Sequence, residues 1–439
     1  MSKKLLVILM VLTLLVIPFL IACSSSNSTT TSTATSATTK TATATVTTTA
    51  VQTSVSTATT TVASAAKTLK VGLLAYYSWP IGLDMVYALQ AWADYLNNNG
   101  GLKIGNDYYS IQFVTYDSNQ NQATAEAAIN RLIFEDKVKF IIADPALVDP
   151  WLPITEANKV LVVASTQTSI ILDSSKNYCF EGGYQSALAP ALIRWFTKNY
   201  PDKKTCVLAY PDNQMGHDSQ VTTEAALKTY GLEPSAVFYP ENSTDLSSMG
   251  LKIKSMNPDV FLGTGGSPST DGQSIKAVIE SGYTGMCIST SPFSAKLLTN
   301  FVPAESVEGF INIGWCTEYD PPLTDLAKQF IAAYTAKKGT WDAPEVSATS
   351  VWFCLQDALQ QAGSIDVDKV ADVLAGGLEF ETPTGGECKM VARQDLNNSR
   401  TVDSIAEFYP KQIHNGLPVN IGHITLDESY QYFQETYFK

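Results

Sequence analysis

Hydrophobic and polar positions divide this chain into three regimes. Leu5 to Ala22 is unbroken apolar sequence, Ser24 to Lys67 is almost wholly Ser, Thr, Ala and Val, and from Thr68 onward the apolar positions become periodic. LKVGLLAYY reads as a strand, and DMVYALQAWADYL, Asp84 to Leu96, carries apolar residues at helical spacing until NNNGG stops it. The order then repeats. YYSIQFVTYD alternates as a strand, ATAEAAINRLIFED is an amphipathic helix, VKFIIAD is a buried strand, and LPITEANK with VLVVAST gives helix and strand again. Strands separated by helices of this length predict βαβ units, a parallel sheet and right-handed crossovers.

A second run follows the helical segment SALAPALIRWFTKNY. It comprises strand TCVLAYP, helix DSQVTTEAALKTYG, strand AVFYP, helix DLSSMGLKIKSMN, strand DVFLGTGG, helix GQSIKAVIESG, and the strands GMCIST and GFINIGW. Helices are predicted over Leu323 to Lys337, Pro344 to Gln361 and Val367 to Ala375, and the Gly-punctuated tail from Thr382 reads as antiparallel hairpin material. The roughly 370 residues from Thr68 exceed one ordinary core, so the fold class expected is α/β with two parallel-sheet lobes.

The leading apolar run follows Lys3 and Lys4 and ends in Leu20-Ile21-Ala22-Cys23, which resembles a bacterial lipobox. That resemblance implies a signal peptide over 1–22, cleavage before Cys23 and lipid on its thiol, which holds the mature protein at a membrane without a spanning helix. The uncleaved alternative is a short membrane anchor. Residues 23–67 then form a disordered tether, because a Ser/Thr-rich segment without aromatics buries too little surface to offset ordering entropy. As a flexible coil it spans about 35 Å; as a glycosylated stalk it is stiffer.

Charge and cysteine content narrow the functional classes. The formal net charge is -13, and loss of Lys3 and Lys4 makes it more negative, which argues against nucleic acid or an anionic lipid surface as partner. His217, His414 and His423 are scattered, without neighbours at ligand spacing, so no metal is expected. The six cysteines beyond Cys23 fit either bridges of an exported protein or small buried hydrophobes, and their pairing is open.

In open parallel sheets, ligands bind beyond the carboxyl ends of strands. The loops this rule selects are Ala75 to Gly82, Asp144 to Trp151, Ser165 to Ser169, Pro211 to Asp218, Gly263 to Gly272 and Ser289 to Ser294. GTGGSP lacks the third glycine of a dinucleotide fingerprint, and there is no P-loop, no G-x-S-x-G elbow and no Cys with an evident His partner. Asp144, Asp149, Asp212 and Asp271 lie on these loops and suit paired-carboxylate chemistry, but loop aspartates more often cap helices or shape turns. No catalytic constellation, and no cofactor, is expected. What remains is recognition, by Tyr76, Tyr77 and Trp79 after the first strand, Trp151 after the third, and Thr166, Gln167 and Thr168 after the fourth.

TLKVGLLAYYSWPIG, the helix ending YLNNNGGL, and YSIQFVTYDSNQNQATAEAAINRLIFEDKVKFII resemble, in order and spacing, the branched-chain amino-acid binding proteins. These are type I periplasmic solute-binding proteins of ABC transporters. The resemblance runs from Thr68 into the tail, where TPTGG looks like a chain crossover. It implies two Rossmann-like lobes joined by three hinge crossovers, with residues 68–184 and 320–382 forming one lobe and 185–319 and 383–439 the other. It also implies a monomer that closes on a small-molecule ligand and delivers it to a permease driven by an ATPase. A ligand-sensing domain for a membrane receptor is the alternative within the same fold.

Carried over by residue, the resemblance places Asp144 and Leu147 in the loop after the third strand, where Leu147 stands near an expected serine. It places Gln167 and Thr168 after the fourth strand, with Thr168 keeping a hydroxyl. Gln185 replaces an acidic residue, Ser291 stands where a further acid is expected, and Met215, before Gly216, replaces a tyrosine. With Tyr77, Ser78, Trp79, Gly266 and Phe293, these are the candidate ligand residues. Loss of the charged anchors disfavours a zwitterion, since buried charges need partners, and points to a small solute, an aromatic one included, held among Trp79, Tyr77, Met215 and Phe293.

Overall fold

The computed structural model describes residues 67–77, 80–119, 121–143, 150–166, 172–173, 177–240, 243–263, 268–291, 298–314, 324–341, 346–384, 386–398 and 400–438. All of them belong to one compact unit. The apolar leader, Cys23 and the Ser/Thr-rich segment lie outside the described residues.

The first half builds a six-stranded sheet. Its strands are β1 (Lys67–Ala75), β2 (Leu102–Ile104), β3 (Asp107–Asp117), β4 (Phe140–Ala143), β5 (Leu161–Ala164) and β6 (Cys179–Glu181), in the order β2-β3-β1-β4-β5-β6. All pairs are parallel except β2 with β3. FIIA and LVVA are buried at every position because helices cover both faces of this part of the sheet. Helices α1 (Pro80–Asn98), α2 (Gln122–Phe134) and α3 (Leu152–Ala157) fill the connections. Asn121 starts α2 by accepting the Thr124 N–H at 3.1 Å.

The second half repeats the plan. Helix α4 (Gln185–Asn199) leads to β7 (Thr205–Pro211), α5 (Gln214–Thr229), β8 (Glu233–Tyr239), α6 (Ser247–Met256), β9 (Val260–Gly263), α7 (Pro268–Glu280), β10 (Met286–Ser289) and β11 (Ile311–Gly314). After α8 (Asp325–Lys338), α9 (Ser350–Ala362) and α10 (Val367–Ala375), the chain forms β12 (Glu379–Thr382), β13 (Gly386–Ala392) and β14 (Thr401–Ala406) as a small antiparallel sheet. Strands β15 (Tyr409–His414) and β16 (Leu417–Asn420) then extend the second large sheet, whose order is β16-β15-β11-β10-β9-β7-β8. The tail is therefore hairpin material, as its glycines predict. It ends, however, in a helix that its strand-rich reading does not foresee, α11 (Leu426–Tyr437), started by a Thr425–Glu428 capping box.

Helix α11 docks on α4 for a reason written into α4 itself. Pro190 has no N–H, so the Ser186 carbonyl one turn earlier lacks its helical donor. The Tyr437 hydroxyl supplies one at 2.9 Å. The Arg393 guanidinium lies over the Tyr437 ring, 4.6 Å from its centroid.

Three apolar clusters form the core. One lies under α2 and α3 on the first sheet and one under α6 and α7 on the second. The third and largest runs continuously from the first sheet into the second through Phe180, Tyr184, Cys388 and Phe408. Trp151 is buried in the first of these clusters, so this aromatic packs the core of its half.

Candidate functional site

The carboxyl ends of both parallel sheets meet where β6 passes into α4. A helix that precedes a parallel strand begins above the carboxyl edge of its sheet, so the start of α4 marks that edge of the second sheet. Gln185, the first residue of α4, donates from Nε2 to Ser165 Oγ at 2.9 Å, just beyond β5 of the first sheet. The intervening Gly182 and Gly183 pack tightly on β5, and a Cβ on Gly183 would stand 2.5 Å from Ser165 Oγ. Only glycine fits there.

Beneath this junction is a buried polar cluster. Glu181 closes β6; its Oε1 accepts the Gly183 N–H at 2.6 Å and its Oε2 the Ser404 hydroxyl at 2.9 Å. Ser404 Oγ also receives the Tyr184 N–H, and its own N–H donates to Asp403 Oδ1 at 2.9 Å, which brings the carboxyl of Asp403 close to that of Glu181. Arg393, itself buried, bonds Asp403 at 2.7 Å and grips Asp395 through two nitrogens at 2.8 and 2.7 Å. Burial, then the neighbouring Asp403, raises the Glu181 carboxyl well above its ordinary range. Tyr184 is held here with a φ of 47°, a left-handed conformation unusual for an aromatic residue.

Around the edges, Tyr77 is half-buried after β1, and its N–H donates to Asp117 Oδ1 at 3.2 Å. Tyr76 is buried, with its carbonyl so close to Gly82 that a Cβ there would stand 1.8 Å away. On the second sheet, Asn213 caps α5 through the Gly216 N–H at 2.9 Å. His217 bonds Asp212 at 3.0 Å and stacks on Phe238, their rings 4.6 Å apart. Beside β10, Asp271 in the first turn of α7 is fully buried, and its Oδ2 accepts the hydroxyls of Ser289 at 2.8 Å and Ser291 at 2.6 Å.

Of the candidates read from sequence, Tyr77, Gln185 and Ser291 are described, all three at carboxyl edges. The Met215 backbone lies in the first turn of α5. Ser78, Trp79, Asp144, Leu147, Gln167, Thr168, Gly266 and Phe293 lie outside the described residues. Sequence reasoning passed over Glu181, Arg393 and Asp403, because their link spans the whole second half of the chain. It weighed Asp271 for paired-carboxylate chemistry and as a helix cap or turn residue, whereas its carboxylate ties two serines at the end of β10.

Cys179, Cys206, Cys287, Cys354 and Cys388 are free thiols, and burial pushes those of Cys179 and Cys287 up to about 12. For these five the buried-hydrophobe alternative holds. Among the described residues there is no cluster of three His, Cys, Asp or Glu able to hold a metal, and no helix long and apolar enough to cross a membrane.

Two α/β halves, each built on a largely parallel sheet, define a two-lobed fold. Residues 68–401 match the family model described as periplasmic binding protein, and the chain belongs to that family. Membership makes it a solute-binding protein that works outside the cytoplasm. The leucine-binding protein LivK of Thermotoga maritima shares the fold at 19% identity and TM-score 0.62, with 82% of this chain and 99% of that one covered. LivJ of Streptococcus pneumoniae, solved with isoleucine, aligns at 18% identity and TM-score 0.66, covering 81% and 99%. A solute-binding protein of R. palustris, RPA0985, solved with 4-hydroxybenzoate, aligns at 18% identity and TM-score 0.66, covering 83% and 99%. No curated protein matches the chain in sequence.

Proposed function

We propose that this chain is the lipid-anchored, monomeric receptor of an ABC importer, capturing a small organic solute between the carboxyl edges of its two sheets and passing it to a permease. The observation that carries the reading is the Gln185–Ser165 bond, which joins the start of the second half to the carboxyl edge of the first. Cys23 bears the lipid and residues 24–67 are the tether. The lobes are 68–184 with 320–382 and 185–319 with 383–439.

The solute is an aromatic or otherwise non-zwitterionic molecule, contacted by Tyr77, Ser78 and Trp79 from one side and Met215, Gly266, Ser291 and Phe293 from the other. Asp144, Leu147, Gln167, Thr168 and Gln185 complete the proposed set of ligand contacts. Gln185, in place of an acid, leaves an α-ammonium without a carboxylate partner, whereas Leu147, in place of a hydroxyl, removes only a neutral donor from the carboxylate that amino acids and benzoates share. Of the two ligand types seen in the fold's relatives, the benzoate type therefore fits better than the isoleucine type.

Isothermal titration of the body from Thr68 with 4-hydroxybenzoate, benzoate, isoleucine and leucine tests this. Micromolar or tighter binding of an aromatic acid, with the amino acids at least about tenfold weaker, is expected, a difference of about 1.4 kcal/mol. Tight binding of leucine would falsify the specificity. Replacement Cys23→Ala is expected to move the protein from the membrane fraction to the soluble one.

A further inference from the structure

Asp271 does more at the second sheet than begin a helix. Its carboxylate is acceptor-only, and Oδ2 already takes the protons of two hydroxyls, Ser289 at 2.8 Å and Ser291 at 2.6 Å. The Ser289 oxygen is itself held in place, accepting the Ser291 N–H at 2.9 Å, while it also stands 3.1 Å from the Gly263 carbonyl oxygen, a second acceptor for its one proton. The Ser291 hydroxyl therefore has no freedom to turn. A serine hydroxyl has one proton and two lone pairs, and with the proton committed inward to Asp271, the half-buried Ser291 oxygen offers lone pairs outward.

Tyr239, at the end of β8, is buried in the cluster under α6 and α7, and its hydroxyl has no hydrogen-bond partner among the described residues. Burial raises its phenol, and the nearby charge of Asp271 adds to the rise.

We infer that the edge formed by Asp271, Ser289 and Ser291 is a hydrogen-bond acceptor subsite that selects solutes presenting an O–H or N–H donor to the second sheet. This rests on the capture of a small solute between the two sheets, and adds to it the chemistry at one end of that solute. A hydroxyl and an ammonium are both donors, and the subsite's acceptor is the same for each. An ether, a methyl group or a carboxylate at that end leaves Ser291 without a donor, and a carboxylate also faces the charge of Asp271.

The test uses two pairs of probes that differ only in the donor: 4-hydroxybenzoate with benzoate, and isoleucine with 3-methylpentanoate. Titration of the wild-type protein is expected to favour the donor-bearing member of the bound pair by about tenfold or more, the discrimination of a site built around a hydrogen bond. Ser291→Ala is expected to bring the two members within about threefold of each other, and Asp271→Asn to lower the ratio partway by removing the charge behind the serine. Thermal melts accompany each variant, and a purely structural role would weaken both members alike and leave the ratio unchanged. If the wild type binds a pair without preferring the donor, or if Ser291→Ala keeps the preference, the subsite is refuted while solute capture stands. If no probe binds the wild type, capture of these solute classes fails, and the subsite falls with it.

Discussion

Tyr184 sits at a φ of 47° with its ring fully buried against Phe408, at a centroid distance of 6.1 Å. The left-handed backbone costs on the order of 1 kcal/mol, and the residue keeps it because the Ser404 hydroxyl holds its N–H at 2.9 Å. The same hydroxyl donates to Glu181, so one serine fixes both the strained residue and the buried carboxyl. Glu181→Gln is expected to fold, since an amide oxygen can still accept from Gly183 and a neutral amide does not repel the neighbouring Asp403 carboxylate. Arg393→Leu is different. It strands Asp403 and Asp395 opposite no cation, and should cost about 3–5 kcal/mol in urea unfolding, the range for breaking one side of a buried ion pair. Arg393 and Asp395 are close in sequence, but nothing in CFEGGYQ or MVARQD announces that Glu181 joins them through β14, because that contact requires β6 and β14 to be brought together first.

At the scale of elements, most helices and strands were legible because each half-buried segment has its own period. TCVLAYP and Val367 to Ala375 fold over the residues expected. The short β6 and β2 were not foreseen, since three residues carry too little pattern to separate a strand from a loop. The helix α11 was missed because LDESYQYFQETY mixes helical spacing with strand-forming tyrosines, and its packing on α4 decides the matter. Tyr437→Phe tests that packing. The substitution keeps the ring under Arg393 but leaves the Ser186 carbonyl, already deprived of a donor by Pro190, without its partner. A loss of about 1–3 kcal/mol in unfolding free energy is expected, the cost of a buried unsatisfied acceptor. If Tyr437→Phe unfolds like the wild type, this hydroxyl does not hold the two helices together.

At the scale of the whole molecule, the buried acids give stability a pH dependence whose sign follows from linkage. Glu181 binds its proton more tightly in the folded protein than in the unfolded chain, and Asp357 does so too, its carboxyl raised to about 6 chiefly by burial. Folding therefore takes up protons above the ordinary carboxylate range, and stability falls as pH rises through each raised value. Asp357 accounts for the fall up to about pH 6, and Glu181 for a fall that begins at its ordinary value of 4.5 and extends to its raised one. Thermal melts of Glu181→Gln should lose the Glu181 share of this dependence and keep the Asp357 share. A melting profile identical to wild type between pH 5 and about 8 would show that Glu181 does not hold the proton.

The sequence by itself determined the two runs of strand and helix, the parallel sheets and the loops at their carboxyl ends, because periodic burial and turn residues act over a few neighbours. It also determined the negative charge and the apolar leader with Cys23, which are properties of composition. Only the tertiary structure decided that Glu181, Arg393 and Asp403 share one buried cluster, that Gln185 reaches back to Ser165, and that Asp271 commits the proton of Ser291. Those contacts join segments that no period relates, and they form only where packed sheets and helices bring distant residues within hydrogen-bonding range.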